Sequence, residues 1–187
     1  FTRDGNGRLY YNAWLDTFIP ADLVGPIDRG LSIERRYYDA ACDSSVETCE
    51  EIAEIAAGQQ VRVELTIVAK RDLVYAVIED YFPAGTEAVD PNLNNASQFA
   101  EQGIDSVATD SYWWWGSWSF DRIDYRDERI TFTSNFLNSG TYRYTYTLNA
   151  IVPGEYQVRP TFGYEEFTPE VNGRAAGKVF IITQGAE

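Results

Sequence analysis

The sequence predicts a mainly β chain, an antiparallel β-sandwich carrying one or two short helices, and three observations predict it. Apolar and polar residues alternate with a period of two in several stretches. Aromatic residues make up 15% of the 187 and recur beside Val, Ile and Thr, the residue types that suit a pleated, half-buried surface. Clusters of Pro, Gly, Asn and Ser separate the alternating stretches. Many short strands punctuated in this way point to two packed sheets. The 44% hydrophobic content is ample for one core, and a chain of this length buries roughly 70% of its unfolded surface. A single domain over residues 1–187 is the simplest organisation, with no internal repeat or low-complexity tract.

Taken in order, Asp4-Gly-Asn6-Gly-Arg8-Leu9 opens like a calcium loop, but Arg8, Leu9 and Leu15 stand where an oxygen ligand, the turn glycine and the bidentate Glu belong. It reads as a glycine-rich turn before a first strand, Leu9–Leu15, with a second at Leu31–Tyr38. Cys42 and Cys49 follow, with no CxxC motif and no histidine, so a zinc site is excluded. They form either a local disulfide, which only an oxidising compartment would keep, or a pair of unpaired thiols.

Glu47–Ala57 carries two conflicting patterns. Ile52, Ile55 and Ala56 at helical spacing, Ser44 and Glu47 as a capping box and Gly58 as a stop favour a helix. The alternative is an extended lead into the next strand. Beyond it, Val61, Val63, Leu65 and Ile67 alternate against Arg62, Glu64 and Thr66. Val74–Phe82 ends at the turn Pro83-Ala84-Gly85, and Asn94–Gly103 is a second, less apolar helix candidate. Further strands are expected at Ile130–Phe136, Tyr142–Leu148, Tyr156–Arg159 and Val179–Ile182, with turns at Asn138-Ser139-Gly140, Pro153-Gly154 and Asn172-Gly173.

Several function classes drop out. A formal charge of −14 opposes nucleic-acid binding and disfavours docking on anionic lipid. It reads as an acidic, solvated surface or as attraction toward a basic partner. No apolar run is long enough to span a membrane, so direct membrane insertion by this chain is not expected, and Phe1 begins no signal peptide. The chain reads as a fragment of a longer protein. With no histidine, a Ser-His-Asp or Cys-His catalyst is impossible within it. Lys70 and Lys178 are the only lysines and both sit in strand-like settings, so a Ser-Lys catalyst finds no support. No metal, cofactor or catalytic residue is expected, and the chain is read as not an enzyme.

Two groups stand out as contact surfaces. Tyr112, Trp113, Trp114, Trp115 and Trp118 would either cover the sandwich edge and pack against another domain, or stack on sugar rings. The second option makes the alternative reading a carbohydrate-binding module. Glu165, Glu166 and Arg174 near a C-terminal turn would either key one domain to another or belong to a solvated loop. Asn95-Ala96-Ser97 is a glycosylation sequon of low specificity.

A series of short stretches carries a resemblance. Gly30-Leu31-Ser-Ile33-Glu-Arg35-Arg36-Tyr37-Tyr38 precedes Gly58-Gln-Gln-Val61-Arg-Val63, then Val77-Ile78-Glu79-Asp80 and Phe82-Pro83-Ala84-Gly85-Thr86-Glu87. Trp113-Trp114-Trp115, Gly140-Thr-Tyr142-Arg-Tyr144-Thr-Tyr146, Pro153-Gly154 and Pro169-Glu170-Val171-Asn-Gly173-Arg174 complete it. In order and spacing these resemble the C-terminal macroglobulin domain of bacterial α2-macroglobulins, from about Gly7 to Ile182.

The resemblance implies a macroglobulin-like sandwich, the counterpart of the receptor-binding domain of the animal proteins, with a helix near Asn94–Gly103. It implies a large extracytoplasmic parent at the bacterial envelope or surface that entraps proteinases, with neighbouring macroglobulin and thioester-type domains as partners. It favours the extended form of Glu47–Ala57. Two departures limit it. Cys49-Glu50-Glu51-Ile52 lacks the glutamine of a Cys-x-Glu-Gln thioester, so no thioester is expected in this chain. Asn94–Gly103 has no lysine, so receptor docking through that helix is not carried over.

Overall fold

The computed structural model describes residues 2, 4–43, 46, 48–90 and 120–185, together with the backbone of 103–107. Among these residues the fold is antiparallel β save one parallel strand pair and one isolated parallel bridge, Gly30 to Asn172, and its helical content is a single 3-10 turn at Ala21–Leu23. The strands are β1 (Ile27–Arg29), β2 (Leu31–Asp39), β3 (Glu54–Ala56), β4 (Gln60–Ala69), β5 (Leu73–Tyr81), β6 (Thr86–Ala88) and β7 (Gly103–Val107). They continue with β8 (Arg122–Tyr125), β9 (Arg129–Leu137), β10 (Gly140–Ala150), β11 (Gly154–Val158), β12 (Phe162–Glu165), β13 (Asn172–Arg174) and β14 (Lys178–Thr183).

One sheet runs β1-β13-β12-β5-β9-β8, and a second runs β2-β4-β10-β6, with β7 also pairing β10. A smaller third sheet is ordered β11-β14-β3. In the second sheet the alternating residues meet in ranks: Ile33 lies opposite Ile67, Tyr37 opposite Val63, and Val63 opposite Tyr146. Val61, Val63, Leu65 and Ile67 are all fully buried. Their facing partners are Ala76, Ile78, Ile130 and Phe132 of the first sheet, also buried. The Phe132 ring meets Tyr144 edge-on at 4.6 Å between centroids. Pairing of this kind adds about 0.5–1.5 kcal/mol beyond the area buried.

The chain passes from the first sheet to the second at Gly30, between β1 and β2, where φ is +98°. That left-handed backbone is open to glycine and strained for other residues. The two sheets touch at the same corner, because a Cβ on Gly173 of β13 would collide with the Leu31 carbonyl of β2. Asn172-Gly173 therefore opens a strand rather than the turn its composition suggests.

Within the Glu47–Ala57 span the described residues, 48–57, contain no helix, and 54–56 form β3, in line with the extended alternative. Ile52 N–H donates to the Tyr37 carbonyl at 2.9 Å, and β3 pairs in parallel with β14 through Ile55 opposite Ile182. A buried Ile55 between exposed Glu54 and half-buried Ala56 fits a strand, and these tertiary pairings override the helical spacing. Cys42 and Cys49 are joined in a disulfide that ties off the loop between β2 and β3. Arg62 Nη1 donates to the Cys42 carbonyl at 2.7 Å, holding that loop on β4. Replacing both cysteines with serine is expected to lower stability by about 2.5 kcal/mol, the chain-entropy value for so short a loop. A urea midpoint unchanged by the double substitution would contradict it.

Two other expectations meet the structure differently. Asn94–Gly103 lies outside the described residues except for Gly103, which opens β7. Leu9–Leu15 is not a strand: residues 8–19 lie in no sheet or helix, although their alternation is plain. Among the described residues no helix is long and apolar enough to cross a membrane.

Candidate functional site

Among the described residues, a cluster around one fully buried ion pair is built by three strands and a connection. Arg35 occupies an inward position of β2 in line with Leu31, Ile33 and Tyr37, all buried. Asp80 occupies the equivalent position of β5, in line with Ala76 and Ile78. Arg35 Nη1 donates to Asp80 Oδ1 at 2.8 Å and to the Tyr81 carbonyl at 2.7 Å, while Nη2 donates to the Arg159 carbonyl at 3.1 Å. Tyr146 of β10 donates through its hydroxyl to Asp80 Oδ2 at 2.6 Å, and Thr161 Oγ1 donates to Asp80 Oδ1 at 2.7 Å. Both charged side chains are 0% exposed.

This is how a buried ion pair becomes tolerable. Taking both ions from water costs several kcal/mol each, and only close pairing with further hydrogen bonds offsets it. Here the carboxylate accepts three hydrogen bonds and the guanidinium donates three. The cluster joins β2 and β10 of one sheet to β5 of the other and to the β11–β12 connection. Burial pushes the Tyr146 phenol well above its ordinary value, and the nearby Asp80 charge adds to the rise. Burial does the same to Tyr37, with the adjacent Arg35 working the other way. A sealed carboxylate cannot reach a substrate, so the arrangement is a clamp between layers, although Arg35 Nε and the Tyr37 hydroxyl are buried without a hydrogen-bond partner.

Sequence reading passed over this clamp, although three stretches that carry the resemblance supply Arg35, Asp80 and Tyr146. The signal was available: each charge stands in an otherwise apolar register.

Of the residues singled out from sequence, Glu165 lies on β12 at 6% exposure. Its carboxylate accepts from Arg71 Nη2 at 3.0 Å and from the Val74 N–H at 2.8 Å. Glu166 follows on the surface, its N–H donating to the Tyr75 carbonyl at 3.0 Å. Arg174 lies on β13, opposite Phe162 and Ile27, with Nε and Nη2 donating to the Gly25 carbonyl at 3.2 and 2.9 Å. The β12–β13 register thus sets Glu165 and Glu166 at the turn end of this hairpin and Arg174 at the other. They do not form one cluster. Tyr112, Trp113, Trp114, Trp115 and Trp118 lie outside the described residues. Among the described residues no group of three or more His, Cys, Asp or Glu is placed to hold a metal.

A surface feature near Glu166 escaped the sequence. Tyr75 adopts φ +54° within β5, which turns both Val74 and Tyr75 outward. The Tyr75 ring meets the exposed Phe167 edge-on at 5.1 Å, and Val74 lies opposite the exposed Phe136 of β9. A non-glycine residue in this conformation costs of order 1–3 kcal/mol, and such strain gathers at contact and functional sites.

Comparison with known proteins agrees with the fold. In solved structures, the chain superposes on trypsin-activated alpha-2-macroglobulin from Escherichia coli with a TM-score of 0.65 at 21% identity, covering 85% of this chain and 11% of that one. Among curated proteins, it is 23% identical over 187 residues to an alpha-2-macroglobulin homolog of Nostoc sp., covering 97% of this chain and 9% of the relative. It is also 27% identical over 183 residues to circularly permutated Ras protein 2 of Dictyostelium discoideum, covering 96% of this chain and 4% of that protein. The chain thus spans less than a tenth of the length of these relatives. The family model for the bacterial alpha-2-macroglobulin MG10 domain matches residues 30–170, which include the whole Arg35–Asp80–Tyr146 clamp, and the chain belongs to that family.

Proposed function

We propose that the chain is a non-catalytic structural and interaction domain, placed at the C-terminal end of a bacterial alpha-2-macroglobulin-like protein that traps proteinases. The observation that carries this reading is the clamp: the buried Arg35–Asp80 pair and its hydroxyl partners are engaged in holding two sheets together. Membership of the MG10 family supports it. The domain would work by contact, against neighbouring macroglobulin and thioester-type domains of the same protein, and would meet proteinases only through the whole molecule. Tyr112, Trp113, Trp114, Trp115, Trp118 and Glu166 are the proposed contact residues. The Cys42–Cys49 bridge fits an extracytoplasmic setting, in the periplasm, at the cell surface or secreted.

The test compares this 187-residue chain with the whole protein against a panel of endopeptidases, using a large protein substrate and a small chromogenic one. The whole protein is expected to block cleavage of the large substrate while sparing the small one. The isolated chain should inhibit neither and form no covalent adduct. Inhibition by the isolated chain, or a whole protein that traps nothing, would overturn the proposal.

A further inference from the structure

The surface around Tyr75 is left unexplained by the clamp. Val74, Tyr75, Phe136 and Phe167 are 45%, 47%, 53% and 75% exposed, four large apolar side chains in one place. Exposed apolar residues are ordinary when scattered singly, whereas a gathering of them marks a contact surface. They gather here because two strands step out of register together. The pairing of β5 with β9 matches Val74 to Phe136 and Ala76 to Ser134, passing over Tyr75 and Asn135. At that step the in-out alternation breaks, and Val74 and Tyr75 both face water.

The patch is also held ready. The turn between β12 and β13 is stitched to the kink from both sides. Glu165 Oε1 accepts from the Val74 N–H at 2.8 Å, and Glu166 N–H donates to the Tyr75 carbonyl at 3.0 Å. Those bonds set the Phe167 ring edge-on against Tyr75. Rings fixed before a partner arrives lose little freedom on binding.

Charge names the partner. Glu166, Asp72 and Asp121 are all exposed. Asp121 accepts from the Asn135 N–H and Asp72 from the Ser139 N–H, so a carboxylate is fastened to the chain on either side of Phe136. Glu166 adjoins Phe167. Among the described residues none of these three carboxylates forms an ion pair, and Arg71 is held by Glu165. An apolar centre rimmed by uncompensated negative charge complements a basic surface with an apolar anchor. A second copy, bringing another −14, is repelled.

We infer that this patch docks a separate protein through a basic segment. An apolar side chain of that segment packs on Val74, Tyr75, Phe136 and Phe167, while its Lys or Arg groups meet Glu166, Asp72 and Asp121. The inference rests on the contact role proposed above, and gives Glu166 a partner outside the protein's own chain.

Fluorescence anisotropy with a labelled peptide of alternating lysine and leucine tests it, on the whole protein and on the 187-residue chain. Both should bind that peptide, more weakly as salt rises, and neither should hold its counterpart of alternating glutamate and leucine. Phe167→Ser and Tyr75→Asn should each weaken binding about tenfold, the mark of an anchoring ring. Asn tolerates the left-handed backbone, so Tyr75→Asn removes the ring and keeps the kink. Glu166→Gln should weaken binding about threefold, and Glu87→Gln, exposed on β6 of the other sheet, should change nothing. Equal losses for those two variants would reduce the attraction to bulk charge and overturn the inference. So would binding by the 187-residue chain that the whole protein lacks, which would give the patch to a neighbouring domain. A whole protein that traps proteinases yet ignores the peptide fails this inference alone. One that binds the peptide and traps nothing sinks only the proposed function.

Discussion

Replacing Asp80 with alanine should destabilise the domain by about 3–5 kcal/mol, the cost of leaving a buried partner charge uncompensated. For a chain of this size that lowers the melting temperature by roughly 10 °C. The size follows from what stays behind. Arg35 keeps its bonds to the Tyr81 and Arg159 carbonyls but loses its counter-charge, while the Tyr146 and Thr161 hydroxyls lose their acceptor. Arg35→Met combined with Asp80→Leu should recover part of the loss, since an ion pair replaced by apolar groups of similar volume is often neutral or better. Recovery should stay incomplete, because two carbonyls and two hydroxyls would still want partners. Denaturant midpoints for Arg35→Met, Asp80→Leu and the double variant give the coupling directly. A loss below about 1 kcal/mol for Asp80→Ala, the range of an exposed pair, would show that the clamp does not carry the sandwich.

The second large effect is alkaline unfolding. Burial raises the phenols of Tyr37, Tyr144 and Tyr146, and the Asp80 charge raises the first and last of these further. A phenol whose folded value lies above its unfolded value of about 10 contributes stability that is complete below about pH 10. Above it the unfolded chain ionises first, and the contribution is lost as the pH climbs toward the folded values. A phenol held well above this range, as Tyr146 is, removes stability with a slope that rises toward about 1.4 kcal/mol per pH unit between about pH 10 and about pH 11. Urea midpoints at rising pH should fall steeply across that window. Phenolate absorbance should rise in two phases, with the buried rings ionising only as the domain unfolds. A stability flat to about pH 11 would refute the assignment of these rings to the core.

How much of this was legible in the sequence depends on how many residues each element uses to declare itself. β2, β4, β5, β9 and β10 are each nine or more residues long, and all five were readable. β1, β3, β6 and β13 have three residues each, too few to set a period. Asn172-Gly173 misled because its composition is that of a turn, whereas the glycine is there to admit the Leu31 carbonyl. Leu9–Leu15 misled in the opposite sense, since a true alternating pattern needs a sheet to join and these residues find none within the described fold.

The clamp was legible in principle. Arg35 and Asp80 interrupt two apolar registers, and a charge in such a place calls for an opposite charge across the core. What sequence alone could not supply was the pairing of β2 with β5 across the two layers. Glu165 shows the same gap: its type suggested a surface contact, and its partners on Arg71 and Val74 follow only from the fold. Tyr75 was beyond reach, because nothing in Leu73-Val74-Tyr75-Ala76 announces a left-handed backbone.

The parallel pairing of β3 with β14 has a consequence for how the domain is made. Among the described residues β3 borders only β14, whose Ile182 lies 127 positions beyond its partner Ile55. While the chain emerges from the ribosome, residues 54–56 therefore have nothing to pair with until Thr183 has appeared. Such distant partners slow folding, since the long intervening loop must close before any contact rewards it. The cysteines, seven positions apart, are under no such delay and can meet early. The bridge thus keeps the β2–β3 loop short during the wait, and β3 should take its place only once β14 has emerged.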